Sequence, residues 1–129
     1  MSDREAYQYA MWRVFPLLER GEFINAGVVL FSRRHRFLKA QVHLDEVRLK
    51  AICPDVDLEN VRSQLTFREK IAAGDPEGGS VALQSQSERF GWLVAPASTV
   101  IQPSQVHTGL CDDPEAALSH LFKRLVMIA

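Results

Sequence analysis

The chain reads as an α+β fold, an antiparallel sheet with helices packed on one face, and three observations predict it. Strand-like segments come first, helix-like segments follow, and a strand and a helix close the chain. That order suits strands paired with their sequence neighbours rather than through crossover helices. Three apolar runs near the start are joined by short polar turns, the pattern of a three-strand meander, and one further strand comes later. With 129 residues, 47% of them hydrophobic, the chain can bury one core but not two, so residues 1–129 are expected to form a single domain.

Residues 6–15 alternate, with Tyr7, Tyr9, Met11, Arg13 and Phe15 on one side and Gln8, Ala10, Trp12 and Val14 on the other. Their aromatic and β-branched content favours extended backbone. Residues 22–32 are apolar on both sides beyond Glu22 and Asn25, which predicts a central strand covered on both faces. After a polar turn, residues 37–44 place Leu38, Ala40, Val42 and Leu44 inward and Lys39, Gln41 and His43 outward, a half-buried strand. Asp45 caps a short helix that ends near Cys53, where Pro54 restricts the backbone.

A longer helix over 57–73 aligns Leu58, Val61, Leu65 and Ala72, and residues 74–79, with three glycines and a proline, stop it in what reads as a mobile loop. Ser85 and Glu88 have capping-box spacing ahead of Phe90, Trp92, Leu93 and Val94, which predicts a short helix. Residues 99–102 read as a strand that Pro103 confines to an edge, bulge or bend. In the last helix Asp113 is the cap and Pro114 opens the first turn. Leu118, Leu121, Phe122, Leu125 and Ile128 form its stripe, and Lys123 and Arg124 favour its C-terminal end.

Composition narrows the function classes. The formal net charge of −1 gives no overall attraction to nucleic acid, and no apolar run approaches the roughly 18 residues that suggest a membrane helix. The first residues are polar and mixed in charge, without a signal-peptide pattern, so a cytoplasmic location is expected. Cys53 and Cys111 are far apart and form no Cys-x-x-Cys pair, which argues for reduced thiols and against a thiolate zinc site. His35, His43, His107 and His120 lack metal-helix spacing, and no glycine-rich phosphate loop occurs, so no metal or cofactor is indicated.

The polar residues set among apolar ones mark the candidate sites. Arg13 on the first strand, with Arg20, Glu22 and Asn25 at the start of the second, could converge at one end of a hairpin. A guanidinium there would take phosphate or carboxylate while a carboxylate and an amide orient water. Glu22 and Asn25 share a face only if a bulge intervenes at Gly21 or Gly27. A structural network, with Asn25 satisfying backbone and an arginine pairing with Glu22, explains the same residues. Gly27 within an apolar run calls for a bulge or a close approach, with Trp12 or a helix packed over it.

His107 follows an edge strand and precedes Gly109, a position for a general base or a hydrogen-bond donor. Cys111 is the only thiol near an imidazole, but it shows none of the activating context of a nucleophile. Arg33, Arg34 and Arg36 around His35 make the densest basic stretch, a solvated turn or a phosphate contact. No aromatic platform is interleaved with them.

Four pieces, Tyr9-Ala10-Met11-Trp12-Arg13, residues 20–31, Glu88-Arg89-Phe90-Gly91-Trp92-Leu93 and Val106-His107-Thr108-Gly109-Leu110, give the chain a resemblance to a bacterial family catalogued as domain of unknown function 3037. The resemblance implies no activity, cofactor or catalytic residue. It implies a partner by association, since members are often encoded beside a HipA-like protein with a kinase fold. The leading expectation is therefore a small binding or regulatory module for a protein partner such as a HipA-like kinase. An anion- or nucleotide-handling enzyme built on Arg13, Arg20, Glu22, Asn25 and His107 is the alternative, and nucleic-acid binding through Arg33, Arg34 and Arg36 is a third.

Overall fold

The computed structural model describes residues 4–127. Strands β1 (Glu5–Val14), β2 (Ile24–Ser32) and β3 (Phe37–Val42) form the expected antiparallel meander, with Met11 opposite Val28 and Val29 opposite Ala40. The other edge of β1 takes two short strands in turn. β4 (Ile101–Pro103) pairs with Trp12, Arg13 and Val14, and β5 (His107–Cys111) pairs with residues 5–9, all antiparallel. Ser104 fills the ladder between them. Its backbone N–H donates to the Met11 carbonyl at 2.8 Å, and its hydroxyl accepts from Met11 N–H at 2.9 Å.

Two later strands stand where one was expected. His107-Thr108-Gly109-Leu110-Cys111 holds a single β-branched residue, so its own preference for extended backbone is slight. Pairing with the long β1 supplies the hydrogen bonds instead. A Cβ on Gly109 at the centre of β5 would stand 2.5 Å from Cζ and Oη of Tyr7, so any larger residue there would push the tyrosine ring aside.

Helices α1 (Glu46–Ile52), α3 (Gln86–Leu93) and α4 (Pro114–Leu125) start where the sequence places caps, and α2 (Leu58–Ala73) starts beside Asp57, which caps it as well. The side chains of Asp45, Asp57 and Ser85 accept from the N–H of Arg48, Asn60 and Glu88 at 3.1, 3.1 and 3.2 Å. Asp113 accepts from Glu115 and Ala116. These bonds satisfy amides that no helical carbonyl can reach. Residues 74–79 are more structured than a loop: after Gly74 in the left-handed conformation comes a 3-10 turn at Pro76–Gly78, with Gly78 buried. Ile128 lies outside the described residues.

The α+β class and the antiparallel sheet are as expected, but the helices do not share one face. Ala10, Trp12, Val14, Ala26, Val29 and Phe31 pack with residues of α1, α2 and α3 in the larger core. Val28 and Leu30, on the opposite face of β2, pack with Leu118 of α4 and with Tyr9 and Met11. A strand apolar on both sides needs cover on both, and the terminal amphipathic helix supplies the second.

Candidate functional site

The pairing of β1 with β2 slips by one residue between Trp12 and Arg13: Trp12 faces Gly27, Arg13 faces Asn25, and Ala26 is the extra residue. This bulge lies at Gly27, where the sequence called for one. It turns Asn25 onto the α4 face beside Arg13, whereas Ile24 and Ala26 join the larger core. Asn25 Nδ2 donates to the Leu125 carbonyl at 3.2 Å, securing the last turn of α4 to the sheet. The Arg13 guanidinium lies 4.5 Å from the centroid of the Phe23 ring, which in turn stands 5.1 Å from Phe15. Arg13 Nε and Asn25 Oδ1 are both enclosed and have no hydrogen-bond partner among the described residues.

Arg20 and Glu22 pair with each other in the connection between β1 and β2, with side chains 62% and 45% exposed. At that exposure the pair adds little to stability. His107 sits opposite Tyr9, its ring centroid 5.3 Å from that tyrosine's. From Tyr9 to Arg13 is four strand positions, roughly 13 Å at the usual rise. Arg13, Asn25 and His107 therefore share a sheet face, with His107 displaced along it from the other two, and Arg20 and Glu22 pair in the connection that leads into β2.

Asn25→Ala measures which role dominates at the Arg13–Asn25 pair. Loss of the bond to Leu125 is expected to cost about 1 kcal/mol and lower the melting temperature by a few degrees. An unchanged melting curve would remove the structural account.

Cys111 is buried, and burial, then Asp112 and Asp113, push its thiol above the ordinary range, the reverse of what a thiolate nucleophile requires. The basic turn, residues 33–36, is held from two sides: Gln86 Nε2 donates to the Arg36 carbonyl at 3.0 Å, and His35 Nε2 lies 3.3 Å from the Cys111 carbonyl. Arg33 reaches toward Ser87 Oγ at 3.5 Å. No three His, Cys, Asp or Glu residues among those described could together hold a metal ion. No described helix is long and apolar enough to cross a membrane.

A cleft that the sequence reading missed opens where α3 passes the first half of β1. Its volume is about 370 Å³, and Ala6, Gln8, Phe31, Phe90, Gly91 and Val106 line it, with Arg33 and Ser87 at one end. Around it the sheet is bare on this face: Ala6, Gln8 and Thr108 are exposed, and Leu110 is 59% exposed. The available signal was Gly91, a glycine inside a helical pattern.

The profile of the family described as "Protein of unknown function (DUF3037)" matches residues 9–126. The chain belongs to this family. The DUF3037 match takes in the bulge at Gly27, the Arg13–Asn25 pair, the basic turn, α3 and β5, so the features described above lie within the family's domain. No curated protein and no solved structure matches the chain.

Proposed function

We propose that this DUF3037 protein is a binding module for a protein partner, and that a HipA-like kinase, suggested by the family resemblance, is the first partner to test. The observation that carries this reading is the half-covered sheet. Where β5 pairs with the first half of β1, side chains of β1 pack with α4 on one face, while Leu110, Thr108, Gln8 and Ala6 stand exposed on the other. An uncovered sheet face beside a cleft is the ordinary setting for association, because burying it recovers the hydrophobic gain that folding left unused. The outer edge of β5 has no strand partner among the described residues and can extend such a surface.

Co-expression of the tagged chain with a HipA-like kinase tests the reading. Co-elution as one complex, lost in Leu110→Asp, is expected. Separate elution of two folded proteins would remove the kinase partner, and a complex indifferent to Leu110→Asp would remove the surface.

The enclosed, unpaired Arg13 Nε favours a second reading, anion binding at Arg13 beside Asn25. The Asn25→Ala melting measurement bears on it, since it gains ground only if Asn25 proves dispensable for stability.

A further inference from the structure

The cleft beside α3 carries enough chemistry to describe what enters it, on the reading that this protein binds a partner. Its floor is apolar. Phe31 and Phe90 form it, with ring centroids 5.2 Å apart and both residues lining the cleft while largely buried.

Gly91 forms part of the wall at the sixth of the eight α3 positions. Glycine is the poorest helix former after proline, so an interior glycine calls for a reason. The fold supplies none: Gly91 has an ordinary negative φ, and a Cβ built on it would meet no atom within 4 Å. The space in front of its Cα is open and belongs to the cleft. A partner backbone that passes close to α3 accounts for the missing side chain.

Charge then selects the partner. Arg33 lines the cleft, Arg34 and Arg36 are exposed on the same four-residue turn, and none of the three pairs with a carboxylate among the described residues. The two hydrogen bonds that anchor this turn to α3 and to the end of β5 fix the backbone from which the three cations extend. In a chain whose net charge is −1 this is a local feature, and a local positive rim beside an apolar floor complements an acidic apolar ligand.

The geometry points to an apolar segment of a partner protein, flanked by Asp or Glu, as the occupant of this cleft. Its apolar side chains lie over Phe31 and Phe90, its backbone passes Gly91, and its carboxylates meet Arg33.

Parallel selections test this with a phage-displayed library of random peptides about twelve residues long, run on the wild-type protein, Gly91→Leu and Arg33→Glu. The wild type is expected to enrich peptides with two or more apolar residues beside an acidic one. Gly91→Leu, which fills the wall while favouring the helix, should melt at or above the wild-type temperature and bind the enriched peptides at least about tenfold more weakly. Arg33→Glu should shift enrichment toward basic residues. No enrichment on the wild type, basic peptides on the wild type, or equal binding by the wild type and Gly91→Leu would each overturn the inference. A labelled oligonucleotide that loses binding in Arg33→Glu and keeps it in Gly91→Leu would replace it with nucleic-acid contact. A protein partner retained equally by the wild type and Gly91→Leu leaves the binding-module reading standing and removes only the cleft as its seat.

Discussion

Trp12→Ala is expected to destabilise the fold by about 4 kcal/mol and lower the melting temperature by roughly 15 °C, the largest effect anticipated here for a single substitution. Trp12 is wholly buried in the larger core, near the middle of the sheet. Its indole Nε1 donates to the Leu93 carbonyl at 3.1 Å, so one side chain fixes β1 to the C-terminal turn of α3. Truncation leaves a cavity the size of an indole and an unsatisfied carbonyl at the helix end, two separate losses. Trp12→Phe separates them, keeping most of the packing and losing the hydrogen bond, and should cost about half as much. Thermal and urea unfolding followed by circular dichroism measure both. A loss below about 1 kcal/mol for Trp12→Ala would mean that α3 is not held to the sheet by this residue.

Much of the fold was legible because its signals are local. Asp45, Asp57, Ser85 and Asp113 are caps wherever their side chains meet free amides two or three residues on, and that relation is visible in the sequence itself. The alternation of β1 is equally local, and its two sides went to the two faces as read. What escaped depends on distant partners. β5 extends because β1 is long enough to pair with two strands on one edge, which Thr108-Gly109-Leu110 cannot announce. The face on which α4 lands is a tertiary choice, although the two-sided apolar pattern of β2 already required cover on both sides and conflicts with helices on one.

The site divides in the same way. The Arg20–Glu22 pair spans two residues and could be foreseen as a local ion pair. Arg13 and Asn25 become neighbours only through the bulge, and His107 is fixed by the pairing of Tyr9 with β5. Gly91 was visible as a glycine inside a helix, but the absence of any internal neighbour to justify it is a three-dimensional fact.

Gly27→Val is expected to lose about 1 kcal/mol net, through packing and without any ligand. A Cβ on Gly27 would stand 3.0 Å from both Trp12 Cε3 and Val42 Cγ1 and 3.3 Å from the Gln41 carbonyl, and valine adds two methyl groups beyond it. Overpacking of this kind costs about 1–3 kcal/mol, whereas the preference of valine over glycine in a strand returns at most about 1 kcal/mol, so steric strain decides the sign. The strain falls on the bulge that sets Asn25 beside Arg13, so the α4 contact at Leu125 should weaken with it. Val42→Ala opens one of the two crowded sides. If crowding is the cause, the double variant should lose less than the two single losses added together, a coupling of about 1 kcal/mol. Gly27→Val with wild-type stability but impaired partner binding would show instead that Gly27 is there to admit a ligand close to the backbone.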